Sequence, residues 1–229
     1  YGWYSSNYQL NIFATSQTGL TLTGNYYIAN NGEGLPTDED DNLIFEILDN
    51  EDLLIPQNSN ILFAENIIAS LKGGIDIFGP STLRFSPGSG IIIEEIVFFG
   101  FPGSGHLFVN GSMDYGLVTF TSNIASERWE GIVAHGSGVT IFDAEISNTN
   151  VAVAMILHGG GAIRNTTFNN NYVDIVLAYN TPTFDMVYPI MIQNCTFNKS
   201  YSNYPLSIYG GGQYYQPVDI WNCTFNNGI

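Results

Sequence analysis

A ten-residue phrase recurs four times in the second half of the chain and restricts the fold more than any other feature. Its copies are Val139 to Asn148 (VTIFDAEISN), Gly161 to Asn170 (GAIRNTTFNN), Ile190 to Lys199 (IMIQNCTFNK) and Val218 to Asn227 (VDIWNCTFNN). Anchored on Ile146, Phe168, Phe197 and Phe225, they are spaced by 22, 29 and 28 residues. Self-similarity on this scale is the mark of a solenoid, in which each repeat covers the apolar face of its neighbour.

The phrase also fixes the kind of solenoid. Apolar and polar residues alternate over short runs closed by Asn, Gly or Ser, which is the period of strands and not of helices. Further strand-like runs lie between the copies, Val151 to Leu157 (VAVAMIL), Val173 to Leu177 (VDIVL) and Pro205 to Tyr209 (PLSIY), so each unit holds about three strands. Such units leave no room for a helical crossover, and the strands must coil and stack in parallel. Equivalent residues of successive coils then sit roughly 4.8 Å apart and like side chains form ladders. Phe168, Phe197 and Phe225 are expected to make an interior stack continued by Ile146, with Thr166, Cys195 and Cys223 as a smaller inward stack. Asn165, Asn194 and Asn222, with Asp143 one coil earlier, fall at a bend, where their side chains can bond the next coil and satisfy turn backbone.

The phrase from Ile192 to Asn198 (IQNCTFN), repeated from Ile220 to Asn227 (IWNCTFNN), resembles the right-handed parallel β-helix repeats of the pectin-lyase-like superfamily. The likeness is greatest to the non-catalytic repeats of large bacterial surface proteins. Gly116 to Asn123 (GLVTFTSN) followed by Trp129 to Gly138 (WEGIVAHGSG) is similar to the strand and turn phrases that open such repeats. The resemblance is good from Leu83 to the end, weaker from Leu53 to Pro80 and poor before Asn42. An all-β right-handed parallel β-helix over residues 42–229 is therefore expected, its coils clearest from 83 to 229, with residues 1–41 as a β-rich N-terminal cap or extension. A cap has a physical reason, since an open β-helix end exposes unpaired strand edges. The opposite end stops at Ile229 directly after a repeat phrase, and an uncapped coil is expected there.

Charge narrows the partners. Five basic against 21 acidic residues give a formal charge of −16, which opposes nucleic acid and anionic lipid. No apolar run approaches the roughly 18 residues needed to span a bilayer. The chain begins with Tyr1 and carries no leader-like segment, which suits a processed or excised extracellular chain.

Candidate chemistry is sparse. Asp38, Asp40 and Asn42 have a spacing that could place oxygens around calcium, but Leu43 stands where a calcium loop of the EF-hand kind needs glycine, and a solvated acidic loop is the plainer reading. Lys72, Arg84, Arg128, Arg164 and Lys199 are scattered, without the base-beside-carboxylates pattern that the resemblance implies for lyases. Asp174, Asp185 and Asp219 are single, at unlike repeat positions, and read as solvated surface charges rather than a hydrolase cluster. His106, His135 and His158 flank Gly-rich turns without metal-ligand spacing. Cys195 and Cys223 share a repeat position, and their parallel side chains suit stacked thiols better than a disulfide. Five N-x-S/T sequons start at Asn110, Asn165, Asn194, Asn198 and Asn222, three of them on the ladder already explained by structure. Tyr201, Tyr204, Tyr209, Tyr214 and Tyr215 crowd the last coils and offer rings on which sugars could stack.

These features point to an extracellular structural or surface-presentation module of a bacterial surface or filament protein, partnered by itself end to end or by further chain. It needs no cofactor, with calcium as the one candidate ion. A glycan-binding adhesin using the tyrosines is the alternative, and a polysaccharide lyase or hydrolase the second alternative.

Overall fold

The structure, a computed structural model, describes residues 4–6, 9–11, 20–21, 25–28, 43–47, 52–65, 67–71, 74–93, 106–112, 116–135, 138–156, 161–179, 189–198, 205–210 and 218–226. Its strands build three parallel sheets, one of seven strands and two of eight. The chain visits the sheets in turn. One late coil runs from Ile190–Gln193 in sheet one through Thr196–Asn198 in sheet two to Leu206–Gly210 in sheet three, then returns to sheet one at Val218–Trp221. Every strand inside a sheet pairs with the equivalent strands of the coils before and after it, and the first and last strand of each sheet with one. This is a right-handed parallel β-helix, the hand that parallel crossovers take.

The sheets reach into the segment expected to be a cap. Leu20–Thr21 pairs in parallel with Asp52–Ile55, and Asn25–Ile28 with Asn60–Phe63. Ahead of them Tyr4–Ser6 and Gln9–Asn11 form an antiparallel pair outside the three parallel sheets. Apolar alternation misses this first coil because Tyr26, Tyr27 and the polar residues around them lack the Ile-rich period of later strands.

Alternation decides which side chains enter the core. In Ser81–Phe85, Leu83 and Phe85 are buried while Arg84 is exposed, and in Ile190–Gln193 the isoleucines are buried while Met191 and Gln193 face outward. Parallel register then stacks like on like. Phe168, Phe197 and Phe225 lie ring on ring with centroids 5.0 and 4.7 Å apart and planes within 5°. Ile146, Phe120 and Leu83 continue the row through earlier coils. A second column stacks Phe63 on Phe85 at 4.6 Å and Phe85 on Trp129 at 4.1 Å, and the Trp129 indole donates to the Ser147 carbonyl at 2.9 Å. In the last described coil Ile220 and Phe225 occupy these same inward positions with about half of their surface open.

Sheet three carries one irregularity. Its register shifts between Gly131 and Ile132, where Gly131 has φ of 112° and any Cβ would meet the Val151 carbonyl oxygen. The bulge needs glycine both for this backbone angle and for the close approach.

Truncation of the inner row should cost far more than truncation beside it. Phe197→Ala is expected to lose about 3–5 kcal/mol and the outward Thr196→Ala less than about 0.5 kcal/mol. Urea denaturation followed by tryptophan fluorescence measures both.

Candidate functional site

The corners between sheets hold most of the organised polar side chains among the described residues. At the bend from sheet one to sheet two, Asp143, Asn165, Asn194 and Asn222 all adopt left-handed backbone, with φ between 49° and 56°. Asn and Asp are the residues with side chains that best tolerate this region. Their side chains join in series. Asn165 Nδ2 donates to Asp143 Oδ1 at 3.1 Å, Asn194 to Asn165 at 3.1 Å and Asn222 to Asn194 at 2.8 Å. One residue type thus relieves the backbone at the turn and links coil to coil.

The next residue at each bend turns inward and has its own task. Thr166 Oγ1 donates to the Arg164 carbonyl at 2.9 Å, Cys195 Sγ to that of Gln193 at 3.3 Å and Cys223 Sγ to that of Trp221 at 3.5 Å. Thr and Cys exchange here because each is small and offers one donor to the carbonyl two residues back. Both thiols are free, Cys195 buried and Cys223 half-buried. Burial pushes the Cys195 thiol up to about 12, which leaves it neutral and inert at physiological pH.

A second series runs along the outer face of sheet two. Asn169 Nδ2 donates to Glu145 Oε1 at 2.8 Å, Asn198 to Asn169 at 2.9 Å and Asn226 to Asn198 at 2.9 Å. Beside it Asn170 donates to Asn148 at 2.6 Å, both with left-handed backbone at the next corner. Asn169, Asn170, Asn198 and Asn226 line an open groove of about 610 Å³. Sequence reading identified only the first Asn of each phrase. The signal for the others was the Phe-Asn-Asn run at 168–170, whose alternation puts Phe inside and Asn outside.

The sharpest departure from expectation is Asp174. Read from sequence as a solvated charge, it is fully buried at the corner between sheets two and three. There Asn171, also fully buried, accepts from the backbone and hydroxyl of Thr149 at 3.0 Å, and donates to the Ile146 carbonyl at 3.1 Å and to Asp174 Oδ1 at 2.8 Å. All four bonding positions of the carboxamide are used, but Asp174 Oδ2 has no partner. Burial raises the Asp174 carboxyl from its ordinary 3.8 to about 6, and the Asn171 hydrogen bond opposes the rise. The bulge in the preceding coil explains the miss. Val151 pairs with Val173 and Val153 with Ile175, so Asp174 falls beside the fully buried Ala152. Asp219, by contrast, is exposed, and Asp185 lies outside the described residues.

Other groups stand apart from one another. His106 meets Asp76 at 3.1 Å on the outer face of sheet one, where the Arg164 guanidinium also lies 5.5 Å from the Phe142 ring centre. The side chain of His135 and all of His158 lie outside the described residues, as do Asp38, Asp40 and Asn42, Tyr201, Tyr204, Tyr214 and Tyr215. Tyr209 belongs to Leu206–Gly210, but its side chain is outside the described set. Among the described residues no group of three or more His, Cys, Asp or Glu is placed to hold a metal ion, and no helix is long and apolar enough to cross a membrane. The chain matches no protein-family model, no curated protein and no solved structure.

Two predictions follow the corner geometry. Asn194→Gly removes only the ladder bonds, whereas Asn194→Ala also forces a Cβ into left-handed backbone. The alanine variant is therefore expected to be less stable than the glycine variant by about 1 kcal/mol in urea titrations.

Asp174 should show in the pH dependence of stability. With a folded pKa above the unfolded one, its contribution is fully present below pH 3.8 and is lost as pH rises through about 6. Relative to Asp174→Asn, the wild-type protein should lose about 3 kcal/mol between pH 3 and pH 8, a difference in slope that unfolding curves at stepped pH would read.

Proposed function

We propose that the chain is an extracellular scaffold of the pectin-lyase-like β-helix kind, a surface or filament module that holds an elongated polar face in place. The observation that carries this reading is the continuity of the ladders. Aromatic rings stack inside the coils while two carboxamide series bond across them outside, and all three rows run in the same direction through successive coils. Interactions of this type stiffen an array along one axis, because each coil is held by its neighbours and by nothing more distant. Rigidity along an axis serves spacing and presentation, and the few charges and many Asn, Thr and Ser on the outside suit an exported surface better than a crowded catalytic cleft.

End-to-end joining belongs to the same reading. The half-open Ile220 and Phe225 occupy positions that earlier coils cover with the next coil's isoleucine and phenylalanine. A further coil seated there, of the same chain or of a second copy, would cover them, and a second copy would make a head-to-tail contact, which propagates instead of closing. Calcium has no required part in it.

Negative-stain microscopy and light scattering over a concentration series test the proposal. Straight rods that lengthen with concentration, equally with calcium and with chelator, are expected. Monomers at every concentration would remove the joining step. Depolymerisation of a polysaccharide that Asp219→Asn abolishes would replace the scaffold reading with an enzymatic one.

A further inference from the structure

The inward row at the bend from sheet one to sheet two ends in two free thiols, and the coil repeat fixes where they stand. Asn194 and Asn222, just before them, are joined at 2.8 Å, and Thr196 and Thr224, just after them, are register partners. The Thr224 N–H also donates to the Cys195 carbonyl at 2.9 Å. Cys195 and Cys223 are therefore equivalent residues of successive coils, stacked at about the 4.8 Å spacing of strands. Their side chains take the same course. Cys195 Sγ meets the carbonyls of Gln193 and Ile163 at 3.3 and 3.5 Å, and Cys223 Sγ meets those of Trp221 and Ile192 at 3.5 and 3.4 Å. Gln193 pairs with Trp221 and Ile163 with Ile192, so each sulfur has the same two neighbours, one coil on. Equal surroundings make the Cβ–Sγ bonds parallel and set one sulfur above the other along the coil axis.

Stacked sulfurs suit one kind of bond and oppose another. A disulfide needs a bond of about 2.05 Å and a dihedral of about 90°, and parallel side chains one coil apart provide neither. A metal ion midway between the sulfurs needs no such rotation. Thiolate–metal bonds run to about 2.3 Å, so two in line span roughly 4.6 Å, close to the coil spacing. Soft cations of the copper(I) class are selected by thiolates, and with a filled d shell they are satisfied by two ligands in line, whereas zinc completes a tetrahedron of four. The other groups against the sulfurs are the four main-chain carbonyls, hard oxygens that do not extend a thiolate set. Cys223 is half-buried in the last described coil, which gives an ion its way in, and Cys195 is buried behind it. Burial is what holds the Cys195 thiol up at about 12, with Cys223 adding to the rise and a backbone hydrogen bond from Thr166 opposing it. That bond from Thr166 stabilises the thiolate once its proton has gone.

We propose that Cys195 and Cys223 together bind one soft monovalent cation, of the copper(I) and silver(I) class, in linear two-coordination along the coil axis. On binding, the two S–H bonds break, two S–metal bonds form and both protons leave to solvent, with no change of oxidation state. The proton that burial keeps on Cys195 shields it from oxidants, but a soft cation displaces it by taking its place on the sulfur. The site follows from coil register alone and does not depend on end-to-end joining or on the scaffold reading.

The test is native mass spectrometry of the reduced protein titrated with silver nitrate in chloride-free buffer, followed by anaerobic copper(I) in competition with a chromophoric copper(I) chelator. One ion per chain is expected, held in preference to zinc. Cys195→Thr and Cys223→Thr place in this row the residue that the preceding coil already carries at Thr166. Each should weaken binding by about a hundredfold or more, because the second of two fixed ligands is lost. Combining Thr166→Cys with Cys223→Thr moves the thiol pair back by one coil and, after overnight equilibration, should restore a single ion. Thermal melts check that the variants fold alike. No ion bound to the wild-type protein, binding that survives in Cys195→Thr, or preference for zinc would each overturn the proposal. So would a shifted pair that folds without recovering the ion, or a disulfide between Cys195 and Cys223 formed in air. Rods seen by microscopy alongside any of these results would leave the scaffold reading standing.

Discussion

Backbone pairing between successive coils is the constraint from which the rest of this structure follows. Strands inside each stack bond to their equivalents on both sides, in parallel and, apart from the bulge at Gly131, in register, so a residue type repeated in sequence is forced into contact with itself in space. For phenylalanine that contact is favourable, since stacked rings at 4.7–5.0 Å remove each other from water. For asparagine it is favourable because a carboxamide is its own complement, donating from one rung and accepting at the next. For a carboxylate it is unfavourable, and the two acidic members of the ladders, Asp143 and Glu145, each occupy the acceptor end of a series.

The corners show how narrow the choice of residue is. At each rung after Asp143, a left-handed turn, a donor to the preceding coil and an acceptor for the next are demanded together, and Asn meets all three, while Asp143 at the acceptor end need only accept. Glycine would meet only the first. Thr and Cys alternate just after it, because the demand there is for a small buried donor, and either supplies one. The alternation of chemistry at constant geometry shows that the carbonyl two residues back sets the requirement.

Asp174 shows the opposite case, an acid that no repeat rule places. Its burial penalises the charged form, and the Asn171 hydrogen bond within the Thr149, Asn171 and Asp174 cluster, which bridges two coils at one corner, offsets only part of that penalty. The unpartnered Oδ2 leaves the charged form without a second compensating donor, in line with a carboxyl that burial raises to about 6.

The sequence by itself determined the architecture over most of the chain. Period-two alternation gave the strands, the phrase spacing gave the coil, and the aligned Phe, Asn and Cys positions gave the stacking rows, because in a parallel solenoid equal sequence position means spatial adjacency. The extent of the first coil was not legible, since Leu20–Thr21 and Asn25–Ile28 acquire their identity from the strands they pair with and not from their own pattern. The outer asparagine groove was partly legible in the Phe-Asn-Asn run, but its shape arises only when three coils are stacked. The buried Asp174 was decided by tertiary structure alone. A single-residue register shift at the bulge beneath it determines which face of the sheet a side chain takes, and no local pattern in VDIVL encodes a slip that happens one coil away.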